Sequence, residues 1–227
     1  MVFVGEGKGT DALKSFWRRL KVSRARIEAV AMDMSQAYVS AVTGHLPNAV
    51  IVFDHFHVVK LFNEKLTELR RDLYREATDL LHKKVLKGTR WLLLKNPENL
   101  DDARNERSRL EEALSLNKPL ATAYYLKEDL RLLWSCPDTT AAERHLHDWI
   151  SRAEASGMRM LKEFAKTLRL HRKGILAYCQ HRISTGPLEE TNNKIKTLQR
   201  QAYGFRDQAF FMLRIYALHT PRYELVG

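Results

Sequence analysis

The chain has 227 residues, 44% of them hydrophobic and 29% charged, which excludes a disordered polymer and suffices to bury a core. No apolar run approaches the roughly 20 residues a bilayer demands, and the opening MVFVGEGKGTD lacks a signal-peptide layout, so a cytoplasmic setting away from membranes is expected. The formal net charge of +11, from 38 Lys and Arg against 27 Asp and Glu, points to a polyanionic partner, most simply nucleic acid.

In chain order, VFVG reads as a short strand. TDALKSFWRRL follows as a helix with Thr10 as N-cap and Leu13, Phe16, Trp17 and Leu20 on one face. Ile27 to Met32 read as a buried strand ending at Asp33, and a helix capped by Ser35 stops around Gly44 and Pro47. AVIVF is the next strand, ended by Asp54, with His57 three positions on. Strand, helix and strand in so short a stretch predict a parallel pair with a right-handed crossover. Asp33 and Asp54 then leave the same sheet edge, where open α/β sheets place their ligands.

Beyond His57 the pattern is helical. Val58, Leu61, Phe62, Leu66, Leu69, Leu73, Ala77 and Leu80 recur at helical period, predicting one long helix through Val85. NPENLDDARNERSRLEEALSLN reads as a loop and then a helix, and further helices are predicted over KPLATAYYLKEDLRLLW, TAAERHLHDWISRAEAS and MRMLKEFAKTLRLHRKGILAYCQ, with SCPDTT as a breaker. Cys136 and Cys179 lie far apart and outside any metal-ligand spacing, so neither a disulfide framework nor a zinc site is expected.

The last motif is STGPLEETNNKIKTLQRQAYGFRD. Gly186 and Pro187 suit an N-cap and first helical position. Leu188, Thr191, Ile195, Leu198 and Ala202 share one face, and Glu189, Asn193, Lys196 and Arg200 share another. From Arg169 to Arg206 eight Lys and Arg face only Glu189 and Glu190, a basic stripe around this segment.

Each motif has a plain structural reading. Asp33 suits a turn, Asp54 and His57 a helix cap, Glu189 the positive end of a helix dipole, and the basic residues a solvated face. Together they form an ordered set of carboxylates flanked by cations. Such carboxylates suit Mg²⁺ or Mn²⁺ and phosphodiester chemistry, with the cations and the Tyr203 and Phe205 rings on the nucleic acid.

AVAMDMSQAYVSAVTGHLPNAVIVFDHFHVVKLFNEKLTELRRDLYREA together with RISTGPLEETNNKIKTLQRQAYGFRD closely resembles the ISL-three family of insertion-sequence transposases, over nearly the whole chain. The resemblance implies an α/β fold, a partial ribonuclease-H-like core interrupted by a large all-helical insertion. The expected boundaries are 1–60 for the core, 61–180 for the insertion and 181–227 for the closing catalytic helix. It implies DDE chemistry, metal-dependent DNA cleavage and strand transfer, by a homo-oligomer acting on transposon ends and target DNA. Asp33 resembles the second catalytic carboxylate and Glu189 the third, both as Mg²⁺ (or Mn²⁺) ligands. Asp54 is the alternative second carboxylate, and His57 supports it in a D-x-x-H signature. Asn193, Lys194, Lys196, Arg200, Tyr203 and Arg206 are the expected nucleic-acid contacts.

The family's first Asp lies on a strand ahead of the one read here as VFVG, and Asp11 opens a helix. The expectation is therefore an N-terminally truncated chain, with at most weak metal binding and no strand transfer of its own. Two alternatives accompany it. One is a non-catalytic nucleic-acid-binding remnant or partner of a full-length transposase. The other is a stand-alone nuclease that recruits Asp207 or Glu190.

Overall fold

The computed structural model describes residues 3–5 and 10–218. Packing divides the chain into two compact units, Met1–Ala49 with Ser184–Gly227, and Val50–Ile183. Residues 50–60 thus group with the helical segment.

In the first unit a 3-10 turn, Thr10–Leu13, leads into α1, Lys14–Ser23. Trp17 is buried and Leu13, Phe16 and Leu20 are half-buried, as their spacing predicts. The Trp17 ring stacks 4.5 Å from His45, the last residue of the later helix Gln36–His45. The expected strand VFVG does not form over Phe3 to Gly5, and Val2 lies outside the described residues. The Phe3 ring meets Phe16 at 5.6 Å, and a Cβ on Gly5 would fall 2.5 Å from the Ala12 carbonyl oxygen. The segment is therefore pressed against the first helical turn instead of entering a sheet.

Strand β1 is Ala29–Met32, of which only Met32 is buried, and α2 is Gln36–His45. Ser35 occupies the cap position of α2 without a side-chain cap bond; instead its amide donates to Asp33 Oδ1 at 3.0 Å. Asp33 thus shapes the entry that Ser35 was expected to shape. Ala41 and Val42 are the buried residues of α2.

Strand β2, Val50–Phe53, completes a two-stranded parallel sheet with β1, compatible with an α/β class in a mostly helical chain. Helix α3, His55–Glu76, buries Val58, Phe62 and Leu66 four residues apart. The long helix predicted through Val85 breaks after Glu76. Ala77 is extended, and Asp79 caps α4, Leu80–Gly88, by accepting from the His82 amide at 3.2 Å. Leu80, counted on the apolar stripe, is 82% exposed because that cap starts a new helix there.

Four further helices follow, α5 over Glu106–Leu116, α6 over Lys118–Leu132, α7 over Thr139–Ala155 and α8 over Arg159–Leu170. Asn117 and Asp138 cap α6 and α7 through their side chains. Phe62, Trp149 and Phe164 meet edge-on at centroid separations of 4.8 to 5.9 Å in the core of this unit. Trp149 is fully buried, and its indole N–H donates to the Leu126 carbonyl at 2.8 Å. The helix predicted through Gln180 is interrupted at His171, and α9, Arg172–Leu176, follows. Glycine is required within α9. A Cβ on Gly174 would stand 2.5 Å from the Phe53 ring, so the bare backbone lets α9 press onto β2.

The chain then returns to the first unit through α10, Gly186–Gln201, and α11, Gln208–Ala217. Thr185, one residue ahead of the predicted cap, precedes α10, and Pro187 sits in its first turn. Thr191 is buried, with its hydroxyl donating to the Pro187 carbonyl at 2.8 Å, and Ile195 and Leu198 are half-buried. Leu188 and Ala202 are exposed, so the inward face is narrower than the spacing predicts. Among the described residues no helix is long and apolar enough to cross a membrane.

Candidate active site and nucleic-acid interface

The candidate carboxylates occupy different surroundings. Asp33 follows β1, is half-buried, and accepts the Ser35 amide. Glu189 lies in the first turn of α10, where its charge favours the helix dipole, and is half-buried on an otherwise largely exposed helix. Both belong to the first unit.

Asp54 belongs to the second unit and is only 1% exposed. Its Oδ1 accepts the Phe56 amide at 2.8 Å and lies 3.5 Å from His55 Nδ1, while its backbone carbonyl accepts from His57. This is helix-cap geometry: the carboxylate takes up an amide that the first turn of α3 leaves without an intrahelical partner. His57 is half-buried beside the Phe56 ring, 5.8 Å away and edge-on.

Carboxylate oxygens are the hard donors that Mg²⁺ prefers, so Asp33 and Glu189 suit such an ion in kind. Among the described residues no three His, Cys, Asp or Glu side chains gather closely enough to share one.

The outer face of α10 presents Asn193, Lys194, Lys196 and Arg200 to solvent. Lys194 pairs with Glu190 at 2.6 Å, an i,i+4 contact that offsets its charge. Beyond the helix Arg206 is exposed and Tyr203 fully so. The helix ends in a paired cap: the Gly204 amide donates to the Gln199 carbonyl at 2.9 Å and the Tyr203 amide to that of Arg200 at 3.2 Å. This places Tyr203 at φ 50°, in the left-handed region that favours glycine. Phe205, expected to face nucleic acid beside Tyr203, instead stacks on Phe211 at 4.8 Å and is half-buried.

The basic stripe read from Arg169 to Arg206 is not one feature. Arg169 and Arg172 lie in the second unit and the residues from 194 onward in the first. Arg169 holds Glu154 with two hydrogen bonds, of 2.6 and 2.8 Å, and Arg172 pairs with Glu143. Those partners are distant in sequence, so a running charge count misses them.

A family model described as a transposase, of the ISL-three DDE type, matches residues 1–215. The chain belongs to the ISL-three family of DDE transposases. It is 39% identical over 220 residues to the transposase for insertion sequence element IS1001 of Bordetella parapertussis, covering 96% of this chain and 54% of that protein. It is 30% identical over 251 residues to the transposase for insertion sequence element IS1557 of Mycobacterium tuberculosis, covering 100% of this chain and 56% of the other. The chain thus spans about half the length of the curated relatives it matches. No solved structure matches it.

Within this ISL-three chain, motif reading passed over a set of polar atoms on the helical unit: His55 Nδ1, Asn63 Oδ1 and Trp134 Nε1 are buried with no hydrogen-bond partner in the protein. Sequence carries no direct sign of them, because an orphaned polar atom is a property of packing.

Proposed function

We propose that this chain contributes carboxylates and a DNA-binding face to the cleavage and strand-transfer centre of an insertion-sequence transposase. Asp33 and Glu189 are the reactive carboxylates of a ribonuclease-H-like core, and residues 61–180 are its helical insertion. The observation that carries this reading is that Asp33 and Glu189, half-buried behind a strand and in the first turn of a helix, fall in one compact unit of a chain matched to the family over residues 1–215.

In this reading Asp33 and Glu189 would hold Mg²⁺ (or Mn²⁺), which when bound supplies charge neutralisation at the reacting phosphate. The protein's own groups do the rest. Asp33 is fixed by the Ser35 amide, which limits its carboxylate to a narrow range of directions. Glu189 is held on a helix whose polar outer face meets the phosphate backbone through Asn193, Lys196 and Arg200, with Lys194, Arg206 and the Tyr203 ring beside them. Asp54 and His57 have a supporting role, with Asp54 fixing the start of α3. The working assembly is a homo-oligomer acting on DNA in the cytoplasm.

Binding of Mn²⁺ to the purified chain, followed by electron paramagnetic resonance, tests the carboxylates. Asp33→Asn and Glu189→Gln should each weaken binding about tenfold or more, whereas Asp207→Asn should not. Equal affinity in all four proteins would remove Asp33 and Glu189 from the site.

A second reading, a non-catalytic DNA-binding role, is favoured by the exposure of Asn193, Lys196, Arg200 and Tyr203 together. It expects salt-dependent DNA binding that survives Glu189→Gln, with a slope that shrinks by about 0.9 for each phosphate contact removed.

A further inference from the structure

The helical unit, which includes neither Asp33 nor Glu189, carries a cleft of about 960 Å³. Its walls include the rings of His55, Trp134 and Tyr178, with His55 5.7 Å from Trp134 and 5.3 Å from Tyr178. The buried, unpartnered Trp134 Nε1, Asn63 Oδ1 and His55 Nδ1 all belong to residues that line it. His55 Nδ1 stands 3.5 Å from Asp54 Oδ1 without hydrogen bonding to it. Leaving such atoms unsatisfied is costly, so three around one cleft call for an occupant that completes them.

The chemistry of the walls narrows that occupant. An anion would need an uncommitted cation, but Arg131 is bound to Glu98 at 2.8 Å and Glu128 at 2.7 Å. Lys127, also beside the cleft's Glu128, is buried and engaged by Glu128 at 2.6 Å and by the Leu93 and Lys95 carbonyls. A cation would need an uncommitted carboxylate, but Glu98 and Glu128 hold Arg131, and Asp129 holds Arg152. An aliphatic group would leave all three polar atoms unpaired. A flat heteroaromatic ring bearing donors and acceptors at its edge satisfies walls and polar atoms together.

Asn63 also lines a second groove, which holds Lys60, Arg71 and Arg90. Glu64 and Glu68 face the same groove, with Glu68 held by Lys65 at 2.9 Å. Cations crowd here: burial, then the charges of Arg90 and Arg71, push the adjacent Arg70 guanidinium below its ordinary value. An aromatic cleft thus adjoins a basic groove across one shared residue, as a base adjoins its phosphates.

We propose that this cleft binds an unpaired DNA base, with its ring against Trp134, Tyr178 and His55 and its polar edge on Trp134 Nε1 and Asn63 Oδ1. The neighbouring phosphates run past Lys60, Arg71 and Arg90. The inference rests on the reading that the chain acts on DNA.

The test compares the full chain's affinity for two end-labelled single-stranded oligonucleotides, identical except that one carries 2-aminopurine where the other has an abasic site. The base should improve binding about tenfold or more, from one stacked ring. Trp134→Ala and Asn63→Ala should each reduce that preference, and Trp134→Phe, which keeps a ring and removes the N–H, should fall between. Arg71→Gln combined with Arg90→Gln should weaken both oligonucleotides alike and lower the salt slope by about 1.4. Equal binding of the two oligonucleotides by the unaltered chain, or a preference untouched in every Trp134 and Asn63 variant, would overturn the cleft while leaving DNA binding intact. Failure to bind either oligonucleotide would overturn the cleft and the DNA reading together.

Discussion

The two units differ in how they are held together. In the unit of Val50–Ile183, most of the chain's buried apolar side chains gather, from Val52 to Leu176, around the Phe62, Trp149 and Phe164 cluster. In the other, the buried apolar residues among those described are Trp17, Met32, Ala41, Val42, Phe211 and Ile215. Yet the thinly packed unit carries Asp33, Glu189 and the polar face of α10. Packing density and the candidate carboxylates therefore fall in different units.

The largest expected effect sharpens that separation. Trp149→Ala removes a fully buried ring and leaves the Leu126 carbonyl without its donor, so the helical unit should lose about 3–5 kcal/mol. Hydrogen exchange should show α7 and α8 losing protection. If α10 lost as much protection as α7, the two units would be one cooperative body and the contrast would fail.

A smaller effect of opposite sign belongs to the other unit. Tyr203 sits at φ 50° with its ring fully exposed, so Tyr203→Gly should stabilise the end of α10 by about 1 kcal/mol. The same change should weaken DNA binding by removing an exposed ring. A Gly variant that melts lower, or binds DNA as well as the parent, would show that the backbone cost has no functional counterpart.

The mildest effect is a pH dependence in the helical unit. Glu106 is held below its ordinary value of 4.5, first by the hydrogen bond from Lys95 and then by the Asp101 amide. Because the folded value is depressed, the resulting stability is present above 4.5 and is lost as the pH falls through the folded value. The melting temperature should drop across that acid range, and less steeply in Glu106→Gln, as read by circular dichroism. Identical acid profiles would assign the acid sensitivity to other carboxylates.

Sequence made some of this legible and hid the rest for identifiable reasons. Met32 at the end of β1, the Asp54 turn and the Pro187 start of α10 were readable because they rest on local patterning. The break at Ala77–Asp79 was hidden because Ala77 and Leu80 continue a helical period that only the Asp79 cap contradicts. The interruption at His171 was hidden likewise, since Arg172–Leu176 resumes a helix and Gly174 looks merely weak until Phe53 is found against it. Phe205 read as an exposed aromatic because its partner Phe211 lies in a separate helix. For the candidate site, residue positions came from the motifs, whereas burial came from packing. Glu189 and Asn193 share a helical face by spacing, yet only Glu189 is half-buried. Arg169 and Arg172 looked available until their long-range partners Glu154 and Glu143 were seen.

The division of the chain also bears on its synthesis. Val50–Ile183 is one uninterrupted stretch, whereas the other unit is assembled from two segments that flank it. A ribosome makes every residue of the helical unit before it makes Ser184 onward, so that unit is complete in sequence while the other is not. Until then, Trp17 and Val42 wait on the nascent chain without the Phe211 and Ile215 of their own unit. Asp33 and Glu189 accordingly cannot share a folded unit until the segment from Ser184 onward has been made.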